Sequence, residues 1–316
     1  MSSPLLDPIL SRRTLGRWLL GLALLGGLIL WVQRAVGWAE LLAPWGSLPP
    51  GRLALLLALT AASYFLRAVR VYDYSRSLLR GAFLATLRLS LLHNTLNNFL
   101  PMRLGELAYP ILMKRYFGQG YTASSVTLLW IRVLDLHFLG LPALVFLYVT
   151  QGWLGWLLLV PPWLALVPAM YWGHGLLQRR LRGSSGRLAI LVTKVLGHVP
   201  DSAGQFFRIW VWTALSWICK LLAFTAVVLH FADIDLGRAV LGTLGAELSS
   251  VLPVNGVAGA GTYELAMSAV LLPLGLEVAT ILKAAVNLHL YLLGASLLLG
   301  LWGLLLPRPR LAAVGV

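Results

Sequence analysis

The sequence predicts an all-α polytopic membrane protein with about six full spans and two broken, re-entrant helical hairpins in an inverted-repeat arrangement. Composition is the first reason. Of 316 residues, 59% are hydrophobic and 11% charged, where a soluble domain carries roughly a quarter charged residues. Mean hydropathy is +0.82. Long apolar runs such as "WLLGLALLGGLILWV" and "LPALVFLYVT" are the second. The third is a pair of apolar regions interrupted midway by Pro and Gly in polar company, "NNFLPMRLGE" and "LPVNGVAGAGTYE".

Taken in order, full spans are expected at 14–33, 52–70, 123–150, 153–172, 206–231 and 278–306. The first apolar run ends on Gln33 and Arg34, without a small-residue cleavage site, so it reads as a retained span rather than a signal peptide. The broken regions fall at 82–117 and 239–273. Their unbroken pieces are shorter than the roughly 20 residues needed to cross, which suits helices that enter and return. Two full crossings each are the alternative, with Ala82 to Leu100 just spanning if Arg88 sits at the interface. In the segment 173–205, Leu188, Leu191, Val192, Val195, Leu196 and Val199 form an apolar stripe, with Arg187, Lys194 and His198 off it. That pattern predicts an amphipathic helix lying on the inner leaflet or capping the bundle. All 316 residues read as one transmembrane domain.

Charge orients the chain. Arg12, Arg13, Arg17, the series Arg67 to Arg88, Lys114, Arg115, the cluster from Arg179 to Lys194, Arg208, Arg308 and Arg310 all fall on one side. Only Arg34, Arg52 and Arg238 fall on the other. This bias predicts cytoplasmic termini in a bacterial inner membrane. The first hairpin would then enter from the cytoplasm and the second, flanked by Asp233, Asp235 and Glu277, from outside. Opposed entry is the mark of an inverted repeat with a midplane site.

Several function classes are excluded or disfavoured. The net charge of +14 fits cytoplasmic loops and anionic headgroups rather than nucleic acid. One cysteine, Cys219, cannot form an internal disulfide. The histidines are scattered, no metal-ligand spacing is present, and "GVAGAG" lacks the strand a dinucleotide loop requires. No cofactor, metal or catalytic centre is expected.

Non-helical backbone survives in hydrocarbon only inside protein or along a wet cavity, so each Pro–Gly break marks a candidate site. The first break places Asn97, Asn98, Arg103 and Glu106 around Pro101; the freed N–H groups and Arg103 suit a phosphate. Arg132 and Asp135 stand i, i+3 and share a helix face, where they can pair. Glu247, Asn255 and Glu264 flank the second break. A glutamate buried there suits proton-coupled movement of a substrate, and the structural alternative is that Glu264 accepts from that loop's own N–H groups. Lys220 can neutralise a glutamate. Lys283 and Asn287, with Tyr291, form a polar stripe expected to face a cavity. Charges in a membrane helix point to function by default; mutual pairing of these acids and bases is the structural alternative.

"NNFLPMRLGELAYPILMKR", "RVLD" and "LPVNGVAGAGTYELA" together resemble the flippase-like transmembrane domain of the lysylphosphatidylglycerol synthase/flippase (MprF) family. The resemblance runs from about Leu15 to Leu306 and implies an α-helical bundle with broken helices that moves a lipid between leaflets. It carries over to Asn98, Pro101, Arg103, Gly105, Glu106, Arg132, Asp135, Gly259, Gly261 and Glu264. Ile131 stands where the family pattern has a glutamate, and the chain reads as a stand-alone member without the aminoacylating synthase domain.

The expected function is therefore a lipid translocase, not an enzyme. Its partners would be phospholipid or polyprenyl-phosphate lipid and possible lipid-synthesis enzymes, with no nucleic acid. The rivals are a secondary transporter of a small anion, an intramembrane lipid-modifying enzyme built on Glu106, His93 and Asn98, and a non-catalytic partner of lipid enzymes.

Overall fold

A computed structural model describes residues 12–151, 153–181, 186–197, 199–200, 202–249 and 256–308. The described residues are helical almost throughout. In order they form α1 (Arg12–Ala35), α2 (Trp38–Leu42), α3 (Pro50–Tyr74), α4 (Arg76–Leu79), α5 (Phe83–Phe99), α6 (Ala108–Phe117), α7 (Tyr121–Gln151), α8 (Trp153–Leu181), α9 (Arg187–Leu196), α10 (Ala203–Phe231), α11 (Leu236–Ser249), α12 (Thr262–Leu271) and α13 (Val278–Leu305). Short 3₁₀ turns join some of these, notably Pro101–Leu107 and Val257–Gly259. The protein is an all-α integral membrane protein.

Among the described residues five segments are long and apolar enough to cross a membrane: Pro50–Tyr74, Tyr121–Leu144, Ala203–Phe231, Val257–Leu274 and Val278–Leu305. A sixth is added if Leu19–Ala35 and Trp38–Ser47, bent by 92°, count as one span. The bend follows the first expected span, 14–33, which lies within α1. The returning arm of the second hairpin has the length of a crossing, while the expected span 153–172 lies in α8, which is not among these segments. Helix α8 carries Pro161, Pro162 and Pro168 in its interior, which membrane helices tolerate because freed carbonyls find partners inside the protein.

The chain divides into two compact units. The first comprises Met1–Ala61, Leu92–Ala108 and Lys220–Trp302. Its core is built on Phe224, Val228, Met267, Leu271, Ile281 and Leu288. Helices α11 and α12 pack face to face because Gly242 and Gly245 present no side chain. A Cβ on Gly245 would stand 2.6 Å from Val270 Cγ2 and 3.0 Å from the Ala266 carbonyl. Small residues at such a seam let helix backbones approach where no hydrophobic effect drives association.

Both sequence breaks lie in this unit, and they meet. The 3₁₀ turns Pro101–Leu107 and Val257–Gly259 pack on each other, and α1 packs on both. As predicted, Pro101 ends the first helix and starts the turn. Gly105 then folds back onto α5 so closely that a Cβ there would overlap the Asn97 backbone. The imidazole Nδ1 of His93 is 3.2 Å from the Gly105 carbonyl.

The second unit comprises Ala62–Leu91, Tyr109–Cys219 and Gly303–Val316. Leu134, Val167, Tyr171, Phe206 and Ile209 form one core, with Tyr171 stacked on Phe206 at 4.4 Å between ring centroids. Buried Arg88 donates to the carbonyls of Gly303, Leu304 and Leu306 at 3.1, 2.7 and 2.5 Å, supplying the positive charge that a helix C-terminus favours. The first residues of the expected 173–205 linker belong to α8. Of the stripe, Val192, Val195 and Leu196 of α9 and Val199 after it pack in a cluster with Trp130, which donates to the Val195 carbonyl at 3.1 Å. Between leaflet and bundle, then, α9 chooses the bundle.

Gly105→Ala is expected to destabilise the protein by about 1–3 kcal/mol, the usual cost of overpacking, because the obstacle is backbone rather than a movable side chain. A thermal-unfolding measurement in detergent checks this, with Gly26→Ala, whose Cβ would meet nothing within 4 Å, as the silent control.

Candidate functional site

Each unit holds a cluster of ionisable side chains within its apolar helices, and the two clusters are built on opposite charge rules.

In the second unit the centre is Asp135 of α7. Arg70 of α3 meets it at 2.6 Å (Nη1 to Oδ1) and 3.5 Å (Nη2 to Oδ2). Arg132, one turn earlier on α7, donates to Oδ2 at 3.1 Å, so the i, i+3 pair read from sequence does form. From α10, Trp217 donates its indole N–H to Oδ1 at 3.1 Å. Thr213 donates to the Ile209 carbonyl and accepts from Arg70 at 3.2 Å. Arg67 lies over the Trp217 ring, 5.5 Å from its centroid, and its charge acts on Asp135 together with those of Arg70 and Arg132.

Burial makes this arrangement costly. Arg70 is 2% exposed, Asp135 6% and Arg67 9%; only Arg132, its side chain at 24%, is partly open. Removing one charge from water costs several kcal/mol even after relaxation, and pairing offsets that cost only for balanced charges. Here three guanidiniums gather on one carboxylate. A planar guanidinium fork matches the oxygens of a carboxylate or phosphate.

In the first unit charges cancel pairwise. Lys220 pairs with Glu247, which also accepts from the Tyr263 hydroxyl at 3.4 Å, and its ammonium lies 4.9 Å from the Phe224 ring centroid. Lys283 pairs with Glu40 at 2.6 Å, both partly exposed. Glu264 is fully buried; it accepts from the Gly261 N–H at 2.8 Å and meets His289 Nδ1 at 2.7 Å. The capping of its own loop, expected from sequence as the alternative for Glu264, is thus present, joined by a histidine that the sequence did not single out.

The polar stripe on α13 braces helices. Asn287 donates to the Leu41 and Lys283 carbonyls at 3.0 and 2.9 Å and accepts from Trp45 at 2.7 Å, which holds the bent segment after α1. Tyr291 shares a 2.7 Å hydrogen bond with Thr60. Asn98 donates to the Ser296 hydroxyl at 2.6 Å. The buried Asn97 Oδ1 has no hydrogen-bond partner among the described residues. Glu106 is half-buried in the 3₁₀ turn. The Arg103 side chain and Asn255 lie outside the described residues. Among the described residues no three His, Cys, Asp or Glu side chains gather as a metal site.

The residues missed from sequence are Arg67, Arg70, Trp217, Tyr263 and His289. Arg67 and Arg70 were assigned to a cytoplasmic loop, yet they are interior residues of α3. Their i, i+3 spacing, one turn after Tyr64, was a readable sign of a shared face.

Asp135→Asn removes the carboxylate on which three guanidiniums act, and is expected to cost about 3–5 kcal/mol. Arg132→Gln leaves the Arg70–Asp135 contact in place and removes a partly exposed charge, for at most about 1 kcal/mol. Thermal unfolding of both variants side by side tests the ranking.

The family model described as "Lysylphosphatidylglycerol synthase TM region" matches residues 18–300. No curated protein and no solved structure matches the chain.

Proposed function

The chain belongs to the lysylphosphatidylglycerol synthase TM-region family, and from that premise we propose that it is a translocase moving an anionic, phosphate-bearing lipid between leaflets. The gathering of Arg67, Arg70 and Arg132 on Asp135 carries this reading. Asp135 and Thr213 hold Arg70 in place, Trp217 holds Asp135, and the guanidiniums would offer their forked donors to a phosphate.

Binding would exchange a hydrated headgroup for preorganised donors, lowering the cost of taking phosphate through hydrocarbon. No bond is made or broken in this reading, so the protein acts without catalysis of a covalent step. By the positive-inside bias the arginine end of α3 faces the cytoplasm of a bacterial inner membrane, which puts this cluster in reach of the inner leaflet. Opposed hairpins in an inverted repeat would supply alternating access.

The test uses vesicles of phosphatidylcholine with a trace of fluorescent phosphatidylglycerol, read by destroying label in the outer leaflet. Protein is expected to speed exchange of this lipid over empty vesicles but not that of fluorescent diacylglycerol. Arg67→Gln combined with Arg132→Gln should slow it about tenfold or more, since a hydrogen bond to a charged group contributes about 1.5–3 kcal/mol. Equal exchange of both lipids, or no exchange of either, defeats the reading. Uptake of inorganic phosphate without lipid exchange would favour the small-anion transporter instead.

A further inference from the structure

We infer that Glu264 and His289 form a binding site for a single proton, and that this proton latches the loop of the second break in place. The argument is one of donors and acceptors. His289 Nε2 lies 2.7 Å from the Ala258 carbonyl oxygen, and Nδ1 lies 2.7 Å from Glu264 Oε1. A carbonyl oxygen only accepts, so Nε2 carries a hydrogen. With Nε2 protonated, a neutral imidazole has a bare lone pair at Nδ1. A carboxylate oxygen at 2.7 Å from that lone pair is repelled. The contact is attractive only if one more hydrogen sits between Nδ1 and Oε1, on the histidine as an ion pair or on the glutamate as a carboxylic acid. Both descriptions contain the same number of protons. The site binds one.

Loss of that proton must break something. If Nε2 keeps its hydrogen, Glu264 and His289 repel across the Nδ1 contact. If the tautomer changes, Nε2 faces the Ala258 carbonyl with a lone pair and that contact fails. Either way the 3₁₀ turn Val257–Gly259 loses a restraint. Ala258 holds φ +53° and ψ +23°, the left-handed region that a residue with a Cβ visits at a cost. A restraint on its carbonyl helps to keep that conformation populated, beside the turn's own bonds from Gly259 N–H to the Gly256 carbonyl and from Ala260 N–H to the Val257 carbonyl. On the other side, Glu264 Oε2 holds the Gly261 N–H at 2.8 Å, so the same carboxyl touches the loop twice.

The surroundings set the site's electrostatics. Tyr263 of α12 stacks on His289 at 4.5 Å, and its hydroxyl leads to Glu247 of α11, whose charge is matched by Lys220 of α10. On α13 itself the charged side chain is Lys283, paired with Glu40. The packed first break brings Glu106 and Arg103, the latter with its side chain outside the described residues. From α1 the approach to Gly261 is through Leu24, which does not titrate. The proton site stands on this geometry alone; its use as the ion that couples loop motion to lipid movement rests on the translocase reading.

The experiment reads protonation and loop closure without any lipid transport, so its failure is distinct from failure of the translocase. Full-length protein in lipid nanodiscs, labelled with ¹⁵N-histidine, is titrated across the range in which histidine ionises, and hydrogen exchange of residues 256–262 is followed at each pH. Nδ1 of His289 should report a bound or shared proton at low pH and lose it as pH rises. Loop protection, corrected for the intrinsic rate, should fall about tenfold with the same midpoint, the worth of about one hydrogen bond. In Glu264→Gln the amide oxygen still accepts from Gly261 and the amide nitrogen donates to Nδ1, copying the loaded state; protection should stay high at every pH. In His289→Gln the pH dependence should vanish. Three results would overturn the inference: a bare Nδ1 throughout, wild-type protection that ignores pH, or a Glu264→Gln loop that opens as the wild type does.

Discussion

Asp135 is the residue on which the second unit depends. It accepts from Arg70 on α3, from Arg132 on its own helix and from Trp217 on α10, so three apolar helices converge on one carboxylate. Without it, Arg67, Arg70 and Arg132 would repel one another in a region that pays heavily for any charge. With it, the helices are held at fixed spacing and the guanidiniums are preorganised. The same geometry that makes the unit foldable gathers three guanidiniums on one side chain.

The first unit meets the same physical problem with one-to-one pairing. Lys220 is matched by Glu247 and Lys283 by Glu40, while Glu264 divides its oxygens between a backbone N–H and an imidazole. Broken backbone is the more demanding feature here. Two interrupted helices leave unpaired groups that lipid cannot satisfy, and the structure answers by packing one break on the other. Gly105 lets the first break fold back on α5, and Gly242 and Gly245 let α11 approach α12, since each sits where an added methyl would overlap a neighbour. Charge in this unit serves to hold an irregular chain still.

Much of this was legible from residue order. Four of the six expected spans, both breaks, the Arg132–Asp135 pair and the capping of the second loop by Glu264 follow from hydropathy, Pro–Gly placement and i, i+3 spacing, all of which are local. The polar stripe on α13 was visible too, but not its use: Asn287 and Tyr291 meet Trp45, Leu41 and Thr60, residues more than two hundred positions away in the chain. Arg67 and Arg70 were read as loop residues because positive charge near a span end is the ordinary topological signal. Nothing local distinguishes an arginine that orients a helix from one that is buried in it. His289 escaped notice for a related reason, since a lone histidine acquires meaning only from the carboxyl and carbonyl that face it.

By itself, then, the sequence determined that this chain lives in a membrane, that it is helical, where its helices break and which charged residues share a helix face. These properties depend on composition and on periods of a few residues. Tertiary structure alone decided which charges cancel and which remain. That outcome depends on partners brought together from α3, α7 and α10 in one unit and from α10 to α13 in the other. A buried charge is defined by its neighbours, and neighbours are a property of packing rather than of order along the chain.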